Sequence, residues 1–173
     1  NTLVGYATEA ELNNDLTWGD MFANAEFKEK VESEMQLVSM AYDTSKYVQL
    51  NQEENMAAFK QAKGELKQRL ASLNDTLNRR MHAATQLNYK DWLKSHQPFH
   101  WLAEFYLIIK GNGGFDVIIG NPPYVVYTDT NCGYIINSNN YTTRECSNLY
   151  AFCIERSKQI LSLLGRFGMI VPN

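Results

Sequence analysis

From Met21 to His96 apolar side chains return at helical intervals through a stretch with no proline, few glycines and abundant Glu, Lys, Gln, Ala and Leu. Val31, Met35, Val38 and Tyr42 repeat at four and three, and Phe59, Leu66, Leu70, Leu73, Leu77 and Met81 repeat at seven, four and three. Such spacing lines one face of a helix and suits a coiled seam. It predicts two long helices forming an antiparallel hairpin, broken around Ser45 to Glu53. The hairpin occupies residues 19–96 as an insertion, between a short opening segment, 1–18, and a second unit, 97–173.

The second unit patterns differently. Trp92, Phe99, Trp101, Phe105 and Tyr106 make an aromatic stretch expected to dock the hairpin on a core. Val117, Ile118 and Ile119 then form a continuous apolar run, the signature of a strand covered on both faces within a parallel sheet. Val125 to Ser147 is polar, rich in Asn, Thr and Tyr, and reads as a loop. Leu149, Phe152, Cys153, Ile160, Leu163 and Leu164 keep helical spacing over Asn148–Leu164, with Arg156 as the interruption and Gly165 as a natural C-terminal cap. Phe167 to Val171 predicts a second buried strand, ended by Pro172. The fold class expected is α/β, a partial Rossmann-like sheet interrupted by a long antiparallel helical hairpin.

Composition narrows the partners. Sixteen basic against 19 acidic residues leave a net charge of −3, which is no footprint for tight duplex binding, where a positive stripe is needed. Lys63, Lys67, Arg69, Arg79 and Arg80 lie on the hairpin among acidic residues, so a solvated charged face is expected there rather than a phosphate-gripping arm. Cys132, Cys146 and Cys153 are odd in number and lack metal spacing, and His82, His96 and His100 show no pairing with them. They read as reduced, structural thiols of a cytoplasmic protein, with no metal site. The apolar stretches are too short to span a bilayer, and no membrane partner is expected.

The candidate chemistry sits where the first strand stops, at Asn121-Pro122-Pro123-Tyr124. Neither proline has a backbone N–H, and each drives the preceding residue into an extended conformation, so strand pairing ends here. The carbonyls of Asn121 and Pro122 are released, and with the Asn121 side-chain oxygen they form an acceptor cluster suited to an amino group with two hydrogens. Tyr124 adds a flat face, on which a nucleobase stacks with about 1–3 kcal/mol.

The strand Phe115 to Gly120 followed by Asn121-Pro122-Pro123-Tyr124, a polar loop, a helix and a Gly165-to-Pro172 strand resembles the S-adenosylmethionine-dependent DNA adenine-N6 methyltransferases, as in large single-chain restriction-modification enzymes. The tetrapeptide is similar to their motif IV, and the ordered agreement covers about 60 residues. The resemblance implies that Asn121 and Pro122 hold the amino group of a flipped-out adenine, with Pro123 completing the turn and Tyr124 stacking on the ring. Asn at the first position favours adenine over cytosine. One of Tyr127, Tyr134 and Tyr141 would close the second side of a base sandwich, or else these rings pack on the domain. Asn1 to Tyr6 is similar to a segment near motif III, which would place Asn1 beside the cofactor or base pocket, a frayed terminus being the equal alternative.

The resemblance also implies a cofactor, S-adenosyl-L-methionine, whose main Gly-rich loop is missing here: Gly111 to Gly114 precedes a strand instead of following one, so it is a turn. That loop is expected upstream of Asn1, which makes this chain a piece of a larger protein, inactive alone. Double-stranded DNA would then be bound through the full-length protein, alongside a target-recognition domain and a nuclease or helicase module. The rivals are a glutamine-N5 protein or RNA amino-methyltransferase, and a helical interaction module on an inactive methyltransferase remnant.

Overall fold

The structure, a computed structural model, describes residues 1–51 and 56–171. In chain order it contains α1 (Glu9–Asp15), α2 (Met21–Asn51), α3 (Met56–His82), α4 (Tyr89–His96), α5 (Trp101–Glu104), a π-helical turn (Leu107–Gly111), β1 (Phe115–Gly120), α6 (Asp129–Cys132), α7 (Leu149–Gln159) and β2 (Leu161–Met169). Two 3-10 turns, Ser138–Asn140 and Thr142–Cys146, lie between α6 and α7. The molecule is a helix-rich mixed fold with a small two-stranded parallel sheet. No described helix is long and apolar enough to cross a membrane.

Helices α2 and α3 pair along the two stripes read from the sequence. Val31, Met35 and Val38 meet Leu73 and Leu77 in one buried cluster, with Leu66, Leu70 and Met81 along its margin. Each such side chain contributes about 1.5–3 kcal/mol on burial, so the seam carries the hairpin. Helix α2 does not break at Ser45 but runs to Asn51, with Ala41 and Ser45 buried on the same face; the remainder of the expected break lies outside the described residues. Tyr6, Leu12, Leu102 and Ala103 belong to the same cluster, so the base of the hairpin rests on the opening segment and α5.

Two local devices fix that base. Thr8 caps α1 by accepting from the Glu11 N–H at 3.3 Å, while Glu11 Oε2 accepts from the Ala7 N–H at 2.7 Å, a reciprocal capping arrangement. His100, fully buried, accepts the Tyr6 N–H at Nδ1 (3.0 Å) and donates from Nε2 to Asn78 Oδ1 (2.9 Å), joining the opening segment to α3. Burial depresses its basicity to a pKa of about 3, so the ring is neutral.

The sheet corrects three expectations. First, α7 ends at Gln159 and the chain passes directly into β2, so Leu163, Leu164 and Gly165 are strand residues. Helical spacing of Ile160, Leu163 and Leu164 is overridden by backbone pairing: Phe115 faces Leu161, and the Phe115 N–H donates to the Ile160 carbonyl at 2.9 Å. Gly165 is no cap; a Cβ there would stand 2.7 Å from the Leu161 side chain and 2.8 Å from the Phe115 carbonyl oxygen. Second, the strands are not covered on both faces. Ile119 is 80% exposed and Leu163 98%, because α7 packs on β2 while, among the described residues, their outward side chains meet little cover. Third, the second strand begins at Leu161 rather than Phe167 and stops at Met169, its register slipping between Phe115 and Val117; Pro172 lies outside the described residues.

Candidate functional site

The carboxyl end of β1 is held by one last bond, from the Ile170 N–H to the Gly120 carbonyl at 3.1 Å. Gly120 passes so close to Met169 that a Cβ would meet its sulfur at 2.9 Å. Beyond it Asn121 is exposed, Pro122 is buried, and Pro123 and Tyr124 return to the surface. The missing proline N–H groups end the ladder as expected from the sequence.

Tyr124 folds back over this turn. Its hydroxyl lies 2.9 Å from Asn121 Oδ1 and 2.8 Å from the Ile170 carbonyl oxygen, donating toward both. The ring is 48% exposed, and the Tyr150 ring meets it at 75° with centroids 6.4 Å apart. The structure therefore brings Asn121, Pro122 and Tyr124 together. A cavity of about 470 Å³ opens beside them, lined among others by Thr2, Leu3, Trp101, Asn121, Pro122 and Arg156.

Asn1 is near this cavity but does not line it: its Oδ1 accepts from the Leu3 N–H at 3.2 Å and its ammonium donates to the Gln97 carbonyl. Thr2 and Leu3 line the cavity in its place. The Asn1 side chain is thus turned onto the Leu3 N–H.

The loop tyrosines pack on the domain. Tyr141 is buried, donates to the Leu3 carbonyl at 3.1 Å and meets Phe152 edge-on at 5.1 Å. Tyr127 also rests on Phe152, at 5.5 Å, accepts from the Ile136 N–H at 2.8 Å and donates to Asp129 at 2.7 Å. Burial, with help from Asp129, pushes its pKa up to about 12. Tyr134 tilts against Tyr127 at 6.2 Å. The ring beside Tyr124 is instead Tyr150, which the sequence reading missed. Its signal was available: on α7 it falls off the inward positions Leu149, Phe152 and Cys153, one residue into the helix after the loop.

Arg156, the polar interruption expected on α7, is buried and paired with Glu11 of α1. It also donates to Gln159 Oε1 at 3.0 Å and lies 5.0 Å over the Tyr141 ring. On the hairpin, Arg69 pairs with Glu65 (2.8 Å), Arg79 with Asp75 (2.7 Å) and Arg80 with Asp15 (2.8 Å). Each of these arginines has its own carboxylate partner, and Arg80, only partly exposed, ties α3 to α1.

Chemically, the site offers carbonyl and carboxamide acceptors at a strand end beside an exposed aromatic face. Among the described residues no group of His, Cys, Asp and Glu could hold a metal ion, and the three cysteines are free thiols. Gly111 to Gly114 forms the bend that enters β1, with Gly113 and Gly114 at positive φ. Among the described residues, no strand leads through a Gly-rich turn into a helix N-terminus.

The chain is similar to a protein of Methanocaldococcus jannaschii described as a type II restriction enzyme and methyltransferase, at 39% identity over 77 residues. That stretch covers 44% of this chain and 6% of the relative, so the likeness spans a small part of that protein's length. No solved structure matches. The model of the Eco57I restriction-modification methylases matches residues 11–173, and the chain belongs to that family.

Proposed function

We propose that this chain forms the base-facing part of an active site that methylates the N6 amino group of a flipped-out adenine in double-stranded DNA, within a restriction-modification or related phage-defence protein. The methyl donor is S-adenosyl-L-methionine, which supplies an electrophilic methyl group when bound; its main binding loop is assigned to no described residue. The observation that carries this reading is the grouping of Asn121, Pro122 and Tyr124 at the open end of β1.

The exocyclic nitrogen of adenine is a poor nucleophile because its lone pair is delocalised into the ring. Asn121 Oδ1 and the Pro122 carbonyl accept its two hydrogens, which favours a pyramidal nitrogen with a localised lone pair. These oxygens lie where positive charge grows as the nitrogen attacks, so their dipoles are already oriented for it. Tyr124 presents its ring to the extruded base. Pro123 keeps the turn extended, and Asn1 contributes through the Thr2–Leu3 wall rather than by direct contact. DNA affinity and sequence choice belong to other modules of the intact protein, a target-recognition domain and a nuclease or helicase, because a net charge of −3 is no footprint for tight duplex binding and Arg69, Arg79 and Arg80 are already paired with carboxylates. The setting is cytoplasmic, where host DNA lies.

The test is Asn121→Ala in the native protein, with N6-methyladenine in host DNA measured by nucleoside mass spectrometry and folding checked by circular dichroism. Methylation should disappear while the spectrum is unchanged. Near-normal methylation in the variant overturns the assignment of Asn121, and methylated glutamine or RNA in place of DNA transfers the chain to another amino-methyltransferase class.

A further inference from the structure

Tyr124 has one hydroxyl hydrogen and two acceptors, Asn121 Oδ1 at 2.9 Å and the Ile170 carbonyl at 2.8 Å. A carbonyl can only accept, whereas a carboxamide carries an acceptor and a donor that exchange places on a half-turn about its last torsion. The three groups are therefore fully compatible in one arrangement. The hydroxyl hydrogen goes to Ile170, the Asn121 amide turns so that Nδ2 donates into the hydroxyl oxygen, and Oδ1 takes the outward position. Ile170 is suited to this part because its N–H is already fixed to Gly120, so its carbonyl is held against the end of β1.

We propose that Tyr124 is a positioning residue as well as a stacking surface: its hydroxyl, anchored on the Ile170 carbonyl, sets which end of the Asn121 carboxamide faces the substrate. With the hydrogen on Asn121, Oδ1 is turned inward and partly occupied. With the hydrogen on Ile170, Oδ1 is turned toward the incoming amino group and Nδ2 is kept away from it. An amide facing the other way would meet the substrate's N–H groups with its own. The ring and the hydroxyl thus do separate work, the ring gripping the base and the hydroxyl orienting the acceptor. This rests on the reading of Asn121 as acceptor for an amino group.

The experiment compares Tyr124→Phe with the native protein in two backgrounds, Asn121 and Asn121→Asp. The aromatic face survives in Tyr124→Phe, so KM for DNA and the fluorescence of 2-aminopurine placed at the target position should stay within about twofold, while kcat falls about tenfold, the worth of one orienting hydrogen bond. In Asn121→Asp both side-chain oxygens accept, nothing has to be oriented, and adding Tyr124→Phe should change kcat by less than about twofold. A loss of equal size in both backgrounds means a merely structural hydroxyl and overturns the proposal, as does a Tyr124→Phe kcat within about twofold of native. Should Asn121→Asp be inactive by itself, hydrogen exchange of the Asn121 side-chain amide decides: slowed exchange in the native protein, lost in Tyr124→Phe, supports the latch, and unchanged exchange overturns it. That readout needs no turnover, so a native protein that fails to methylate adenine would refute the functional reading without touching the latch.

Discussion

Arg156 and Glu11, 145 residues apart, form an ion pair that is almost wholly buried, joining α7 to α1 at the back of the cavity beside Asn121. Glu11 spends its other oxygen on the Ala7 N–H, so one carboxylate both caps α1 and neutralises the only described arginine of α7. Removing one partner of such a pair strands a charge in a dry environment, which costs about 3–5 kcal/mol, whereas replacing both with apolar groups is often close to neutral. Glu11→Gln should therefore lower the urea midpoint strongly. Glu11→Leu combined with Arg156→Met should recover much of the loss, apart from about 1 kcal/mol for the lost Ala7 bond. Strictly additive single and double variants would show that the two side chains do not act as a unit.

His100 makes stability depend on pH. Its folded pKa of about 3 lies below the ordinary value of 6.5, because burial disfavours the charged ring and because Nδ1 must stay unprotonated to accept from Tyr6. Below about pH 6.5 the unfolded chain takes up a proton that the folded chain refuses. The contribution is thus complete above the unfolded value and falls as pH drops toward 3, by up to about 1.4 kcal/mol per unit. His100→Gln, which cannot be protonated, should be less stable at pH 7.5 yet lose less on acidification to pH 4. Parallel slopes of unfolding free energy against pH for the two proteins would remove His100 from this role.

The hairpin was legible because Val31, Met35 and Val38 and the Leu66-to-Met81 series are local patterns, and their seam lies within the same two helices. β1 was legible for a similar reason: Val117 to Ile119 is bounded by residues that cannot continue a ladder. The start of β2 was not, since Ile160 to Leu164 satisfies helical spacing equally well and the decision comes from Phe115, some 45 residues earlier. At the candidate site, the grouping of Asn121, Pro122 and Tyr124 follows from their adjacency in the sequence after a strand that two prolines end. The bond from Tyr124 to the Ile170 carbonyl does not, because a main-chain acceptor 46 residues away leaves no mark in residue identity. Arg156 read only as a flaw in an apolar stripe until Glu11 was placed opposite it.

Gly114 should tolerate no side chain. It has φ of +127°, and a Cβ would lie 2.6 Å from the Ile160 carbonyl oxygen, the acceptor that pairs Phe115 with the end of α7. Strained backbone of this kind alone costs about 1–3 kcal/mol, and the collision adds to it by opening the first bond between β1 and the second strand. Gly114→Ala should lower the melting temperature by several degrees and speed amide exchange at Phe115. Gly113→Ala is a useful control: φ is +73° there but the space is open, so it should suffer the backbone strain without the collision. Equal losses for the two would show that close approach at Gly114 contributes nothing.

His96 ties the hairpin base to the loop that follows the Asn121 turn. Its buried ring accepts the Ile135 N–H at Nε2 (3.2 Å), bonds Ser95 Oγ through Nδ1 (2.8 Å) and stacks on Trp92 at 5.2 Å. Burial lowers its pKa, and a protonated ring has no lone pair left for Ile135. As pH falls below the ordinary histidine range this bond is lost, while Tyr127 still holds the neighbouring Ile136 N–H. Hydrogen exchange, corrected for its intrinsic pH dependence, should show Ile135 losing protection on acidification before Ile136 does. In His96→Phe, which keeps the stack on Trp92 but cannot accept, Ile135 should be unprotected at every pH with Ile136 little changed. Protection at Ile135 that ignores both pH and this substitution would mean that the loop is held by its own turns and by Tyr141, not by the hairpin.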